Sequence, residues 1–166
     1  IGAGISGNKV PDLQARVRAD VIAQSPDHVV IYIGINDVWH DFEFEDLTGT
    51  DPATYEHGLR DLITQIQATG AKVTLCTPSV IGEAPSRYTP VSQRLQEYAE
   101  ISRTVANDQG AYLCDLQVAF NQYLQVHNPA GLTDGVLTID GVHLNERGNR
   151  FVADVLLEHL RPLLDQ

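Results

Sequence analysis

The turn at residues 140–143 carries two side chains that could do acid–base chemistry. Asp140 and His143 stand three residues apart, with a glycine between them. A carboxylate bound to one imidazole nitrogen fixes the tautomer, which leaves the other nitrogen to act as a general base. The pair alone is weakly specific, because a surface histidine at a helix start gives the same pattern. A metal site is the rival interpretation, but the six histidines are scattered and no third ligand is evident, so we predict no metal.

Two further segments supply hydrogen-bond donors. Asn36 lies in residues 34–37, directly after an apolar run, and its side-chain amide carries two donors. A donor aimed at a developing oxyanion typically contributes about 10²–10³-fold in rate. Gly7, within residues 4–8, could offer an unobstructed backbone N–H to the same oxyanion. Each segment alone is equally well explained as a chain turn. We assign the neighbouring Asp37 a structural role, in which it binds loop amides.

These residues need elements that bring them together. Short apolar runs at 29–34, 71–76 and, more weakly, 111–116 predict strands buried on both faces, as in a parallel sheet. Alternation of such runs with helical periods predicts an open α/β sandwich, in which ligands bind beyond the carboxyl ends of the strands. The predicted helices lie around Leu13, Val17 and Val21, between the Asp51–Pro52 start and Gly70, over Leu95 to Val105 before Gly110, over 116–126, and from Asn145 onward.

The stretch at residues 39–46 is both acidic and aromatic. It predicts a solvated loop that Phe42 and Phe44 pack down. Because it follows the end of a predicted strand, it could also line a substrate cleft, where Trp39 and His40 would be the contact residues. A calcium site here is disfavoured, since the carboxylates lack the spacing of a calcium-binding loop.

Composition limits the class of protein and its partners. With 166 residues and 43% hydrophobic content, the chain is predicted to be a single domain, 1–166, with a sizeable core. A net charge of −11 disfavours nucleic acid and anionic membranes as partners. Cys76 and Cys114 lie in apolar stretches and are predicted to be buried free thiols. The sequence is compatible with a homo-oligomer but does not predict one. It is likewise compatible with a cytoplasmic or an exported protein.

Together and in this order, residues 4–8, 34–37 and 140–143 resemble the SGNH (GDSL) hydrolase family, over the whole chain. Residues 4–8, together with 20–24 and 34–39, look most similar to the bacterial branch that includes acetylxylan esterases. The resemblance implies a flavodoxin-like three-layer α/β/α fold and a serine esterase without metal or organic cofactor. It further implies that Asp140 orients His143, that His143 deprotonates the serine, and that Gly7 and Asn36 hold the oxyanion.

The sequence departs from the family at the nucleophile. The Gly-Asp-Ser block is absent, only six residues precede Gly7, and no methionine marks Ile1 as an initiator. We therefore expect a domain that is incomplete at its N-terminus, with a serine upstream of Ile1 and a first strand of the sheet missing. Internal replacements are disfavoured by their turn, loop or strand positions; those considered are Ser6, Ser79, Ser86, Ser92 and Cys76.

Three functions remain in competition. The leading hypothesis is an esterase acting on a small-molecule or glycan ester, most specifically an acetyl ester of a carbohydrate, with Trp39, His40 and Tyr88 near the sugar. A short-chain lipase, arylesterase or thioesterase of the same family is the alternative within this chemistry. A non-catalytic binding module that lacks the nucleophile is the alternative from another class.

Overall fold

The computed structural model describes residues 1–43, 45–84 and 89–164. Phe44, Ser86 and Tyr88, which the sequence analysis singles out, lie outside these ranges. The strands are β1 (His28–Tyr32), β2 (Lys72–Cys76) and β3 (Tyr112–Cys114). The helices are α1 (Val10–Asp20), α2 (Ile35–Glu43), α3 (Pro52–Gln67), α4 (Pro90–Gln109), α5 (Leu116–His127) and α6 (Glu146–Leu164), with a 3₁₀ turn at Ile22–Gln24.

The described strands form a parallel sheet in the order β1-β2-β3. Alternate residues of β2 point into two separate cores, because successive strand side chains face opposite sides of a sheet. Val73 and Leu75 pack with residues of α1, α3 and α4, whereas Cys76 and Cys114 pack with residues of α5 and α6. Helices therefore cover both faces, which confirms the predicted α/β class and its layered arrangement.

Local sequence signals set several helix ends. Asp51 is the N-cap of α3, where its carboxylate accepts hydrogen bonds from the amides of Ala53 and Thr54. Gly110 ends α4 in the left-handed conformation, at a φ of 62°. Both ends were predicted from the residue types, and the helix predicted at 116–126 is confirmed as α5.

The prediction of a loop over residues 39–46 is wrong for its first half. Residues up to Glu43 belong to α2, and bends follow at 45–46. The helix forms because it buries an apolar face: Val38 is fully buried, and α2 packs against α4. Phe42 does not pack the segment down, since it is 45% exposed. In the sequence, the many acidic residues of this segment made the apolar face of the helix hard to recognise.

One edge of the sheet is open in the described part of the chain. No strand pairs with the outer side of β1, and Val30 and Tyr32 on this strand are 39% and 37% exposed. A cavity of about 610 Å³ runs beside the strand, from residues of the N-terminal segment to those of α3. The unpaired backbone groups of such an edge can receive a further strand. The strand expected ahead of residues 29–34 stays a prediction.

The expectation for the two cysteines can be compared with the structure. Cys76 and Cys114 are free thiols and both are buried, as predicted. Within residues 1–43, 45–84 and 89–164, no helix has the length and apolar character that crossing a bilayer requires.

The turn from β1 into α2 yields a first prediction. Gly34 has a φ of 121°, and a Cβ built there would lie 2.7 Å from the Tyr55 hydroxyl and 3.1 Å from Pro78 Cβ. We expect Gly34→Ala to lower the free energy of unfolding by about 2–4 kcal/mol, because backbone strain and crowding add. Urea unfolding measures this loss.

Gly70→Ala is the matched control. Gly70 also has a positive φ, 89°, but nothing lies within 4 Å of its Cβ position. It should lose about 1 kcal/mol from backbone strain alone. Equal losses for the two variants would contradict the steric role of Tyr55 and Pro78.

Candidate active site

The structure brings Asp140 and His143 into direct contact. The Nδ1 atom of His143 lies 2.8 Å from Oδ2 of Asp140, while Oδ1 accepts from the amides of Val142 and His143 at 3.0 and 2.8 Å. The carboxylate is thus held by its own turn, and the second imidazole nitrogen, Nε2, is left for a ligand. Both side chains are about half exposed, at 49% for Asp140 and 58% for His143.

A compact loop between α5 and α6 presents this pair. Gly141 takes a φ of 90°, which an L-residue rarely adopts, and this conformation turns the chain between the two side chains. The ends of the turn are closed by a hydrogen bond from the Ile139 amide to the His143 carbonyl at 2.7 Å. Asn145 then accepts from the Gly148 amide at 2.9 Å and so caps the start of α6.

The hydrogen bonds determine the charge state of Asp140. The bond with the His143 side chain, together with the two backbone amides, lowers the pKa of Asp140 to about 2. An unperturbed aspartate has a pKa of about 3.9. Because the folded pKa is depressed, the contact stabilises the turn above the ordinary pKa and is lost as the pH falls through about 2. Asp140 is therefore ionised at neutral pH and accepts the Nδ1 proton of His143.

Asn36 lies in the first turn of α2 and reaches back to the N-terminal segment. Its Nδ2 atom donates to the Asn8 carbonyl at 3.1 Å, which fixes the amide and leaves its second N–H for a ligand. Gly7 precedes Asn8 in an exposed turn with a φ of 80°. The structure thus places the Asn36 amide against Asn8, the residue that follows Gly7. Asp37 is fully buried and accepts from the Val10 amide at 3.0 Å, so it binds the start of α1 and not the loop amides that the sequence analysis expected.

Trp39 joins the two halves of the site. Its ring stands edge-on to His143, with centroids 5.5 Å apart and an interplanar angle of 77°. Because Trp39 follows Asn36 by three residues on α2, one helix connects the donor pair to the Asp140–His143 turn. His40 lies apart from them: its side chain is buried, and desolvation lowers its pKa. Sequence reasoning missed this joining role because it assigned Trp39 to a loop.

The internal alternatives to a serine nucleophile are occupied elsewhere or unsuited to attack. Ser79 is buried and accepts a hydrogen bond from Tyr32 at 2.8 Å. Ser92 belongs to the capping box of α4, and Ser6 lies in an exposed turn. Contact with the Cys114 thiol, together with burial, raises the pKa of Cys76. No hydrogen bond joins any of these side chains to His143 in the described ranges.

The described residues include no group of three or more histidine, cysteine, aspartate or glutamate side chains that could hold a metal ion. What the arrangement can do is proton transfer through an oriented imidazole, next to a pair of hydrogen-bond donors. A base and oxyanion donors are two of the parts that acyl transfer to and from an ester requires, the third being a nucleophile.

Comparison with known proteins identifies a family and a relative within it. Residues 1–151 match the GDSL-like Lipase/Acylhydrolase family. The chain is 34% identical to the acetylxylan esterase of Geobacillus stearothermophilus over 162 residues, which are 96% of this chain and 71% of that protein.

Solved structures agree in fold. That of the acetyl xylan esterase AlAXEase superposes with a TM-score of 0.92 at 42% identity, covering 95% of this chain and 79% of the other. That of LAE5, an α/β hydrolase from the metagenome of Lake Arreo, Spain, has a TM-score of 0.82 at 36% identity, covering 93% and 68%. Catalytic mutants of the Geobacillus enzyme replace a serine, an aspartate and a histidine, the last two standing three positions apart.

The depressed pKa of Asp140 is directly measurable. An NMR titration of its side-chain carboxyl carbon should give a pKa of about 2. In His143→Ala the value should rise toward the ordinary range of about 3.9, because the side-chain hydrogen bond is lost. His127→Ala, which removes an exposed histidine at the end of α5, should leave it unchanged. An Asp140 pKa that is the same in His143→Ala as in the wild type would refute the contact.

Proposed function

This chain belongs to the GDSL-like lipase/acylhydrolase family, and from that premise we propose that it is a serine esterase that removes acetyl groups from a carbohydrate. Members of this family hydrolyse ester bonds, and the relatives at 34% and 42% identity are acetylxylan esterases. The observation that carries the proposal is the 2.8 Å contact between His143 and Asp140, next to the α2 helix that carries Asn36.

In the proposed mechanism, His143 is the general base and acid. Its Nε2 atom takes the proton of the serine hydroxyl as the serine oxygen bonds to the acetyl carbonyl carbon. The same proton then passes to the sugar oxygen, and the bond between that oxygen and the acetyl group breaks. Water attacks the acetyl-serine in the same way, which releases acetate and regenerates the serine. Asp140 stays ionised throughout and stabilises the imidazolium, as its low pKa supports.

Gly7 and Asn36 are proposed as the oxyanion donors. The tetrahedral intermediate places a negative charge on the former carbonyl oxygen, and donors already fixed in position stabilise that charge without reorganising. Two contacts support this role. The bond from Asn36 to the Asn8 carbonyl restrains the amide, and the bond from Val10 to Asp37 restrains the chain that follows Gly7.

We propose, as in the sequence analysis, that the nucleophile is a serine outside residues 1–166. What supports this is the state of the described internal candidates: Ser79 and Cys76 are buried, Ser92 is used as a cap, and Ser6 lies in an exposed turn. For the sugar, Trp39 is the proposed contact residue, because it is half-buried beside His143. A flat apolar ring of this kind suits the face of a sugar. We do not place His40 at the substrate, since it is buried.

Acetyl release from acetylated xylooligosaccharides tests the proposed function. In the full-length protein, His143→Ala should reduce turnover by about 10³-fold or more, because it removes the proposed general base. A fluorophosphonate should modify one serine of the wild type, and peptide mapping should place that serine outside residues 1–166. The same label should be nearly absent from His143→Ala.

His57→Ala is the control, since His57 is an exposed histidine on α3. It should keep wild-type turnover. Unchanged acetyl release in His143→Ala would refute the triad, and a faster reaction with long-chain acyl esters than with acetylated sugar would refute the substrate class. A fluorophosphonate adduct on Ser6 or Ser79 would refute the position of the nucleophile.

Asn36→Ala tests the oxyanion donors separately. We expect kcat to fall about 10²–10³-fold with little change in KM, because the donor acts on charge that appears only in the transition state. Asn107→Ala, at an exposed position of α4, is the matched control and should leave both constants unchanged. A loss confined to KM would mean that Asn36 binds substrate rather than the oxyanion.

A further inference from the structure

Glu83 is a buried carboxylate that neither its local sequence nor the proposed mechanism explains. Only 1% of the residue is exposed. It lies after β2, in the connection that leads toward α4, and its own amide donates to the Thr133 carbonyl at 2.9 Å. Its carbonyl accepts from the side chain of the buried Asn128 at 2.9 Å. The main chain of Glu83 is therefore fixed, and its side chain has a defined direction.

The side chain binds the strip of chain that precedes the Asp140–His143 turn. Oε2 accepts from the Val136 amide at 2.7 Å, and Oε1 accepts from the Leu137 and Thr138 amides at 2.6 and 2.5 Å. The Thr138 hydroxyl donates to Oε1 at 2.8 Å. Four donors thus bind one carboxylate, and they belong to residues that follow Glu83 by 53 to 55 positions in the sequence.

The donor set fits a carboxylate and not its neutral analogue. Among the described residues, no cation pairs with Glu83, so the four hydrogen bonds are what offset the cost of burying its charge. A carboxylate accepts at both oxygens and donates at neither. An amide would turn one –NH₂ group toward a backbone N–H and leave that donor unpaired. A buried unpaired donor is costly, so the identity of this residue is constrained.

Two links carry the network from Glu83 into the turn itself. The Thr138 hydroxyl, while donating to Glu83, accepts from the Gly141 amide at 3.0 Å. The Gly82 amide donates to the Gly141 carbonyl at 2.8 Å. Gly82 therefore holds the carbonyl of Gly141 directly, and Glu83 holds its amide indirectly, through the Thr138 hydroxyl. Gly141 lies between Asp140 and His143, so its placement sets the direction of both side chains.

We propose that Glu83 is a positioning residue for the reaction: its carboxylate fixes residues 136–141 so that His143 meets the substrate in the productive orientation. This inference rests on the proposed function, because it assigns His143 the role of base. Positioning matters energetically, since a displacement of about 1 Å at a catalytic group can cost about 10²-fold in rate.

Glu83→Gln in the full-length protein is the test, with acetyl release as the assay. The variant keeps the size of the side chain and replaces an acceptor by a donor. We expect kcat to fall about 10–100-fold, while KM changes less than about twofold. Amide hydrogen exchange at Val136, Leu137 and Thr138 should accelerate more than in the rest of the fold. The downfield Nδ1–H resonance of His143 should weaken or shift, which a purely structural role would not cause.

Asp115→Asn is the matched control. Asp115 is another carboxylate with several partners: it accepts from Arg103, from Thr77 and from the Val118 amide at the start of α5. Its loss should lower stability without changing kcat or the His143 resonance. Thr138→Val is the milder second variant, which removes only the hydroxyl between Glu83 and Gly141 and should lower kcat about 3–10-fold. It keeps the inference testable if Glu83→Gln does not fold.

The outcomes separate this inference from the proposed function. If His143→Ala abolishes acetyl release but folded Glu83→Gln and Thr138→Val both keep wild-type kcat and the His143 resonance, the positioning role is wrong. If His143→Ala keeps its activity, the proposed function is wrong and the inference falls with it. If Glu83→Gln lowers kcat, and if amide hydrogen exchange accelerates only at residues 136–138, the positioning role is supported.

Discussion

The architecture of the site depends on a buried hydrogen bond between the starts of two helices. The Val10 amide, at the first turn of α1, donates to the fully buried carboxylate of Asp37 on α2. Burial raises the pKa of Asp37, and the bond from Val10 opposes that rise by stabilising the charged form. Because the two helix starts are tied in this way, the turn at Gly7 lies next to Asn36. The bond from Asn36 to the Asn8 carbonyl joins the same two segments a second time.

Helix α2 extends this constraint to the other half of the site. Asn36 and Trp39 occupy successive turns of the helix, so one reaches Asn8 while the other stands against His143. The parallel sheet makes this possible, since Tyr32 at the end of β1 is in register with Cys76 at the end of β2. Segments that leave the strands at one edge can then converge. Gly82 holds the Asp140–His143 turn at Gly141, and Glu83 holds the residues that precede it.

Predictions from sequence succeeded where a short stretch of chain determines the outcome. The strands, the cap at Asp51 and the stop at Gly110 follow from residue types within a few positions, and the structure confirms them. They failed at residues 39–43, because a helix with many acidic residues shows its buried face only once α4 is present. The burial of His40 was missed for the same reason.

The sequence by itself determined the α/β class, the family and the pairing of Asp140 with His143, because these depend on local spacing and on the order of three motifs. Tertiary structure alone decided the rest. It placed Asn36 beside Asn8 and Trp39 beside His143, contacts that span 28 and 104 positions of the chain. It also gave Glu83 its partners, since the four hydrogen-bond donors to its carboxylate lie more than 50 residues away in sequence. No local pattern marks such a residue, since its charge is stabilised only when the chain has folded around it.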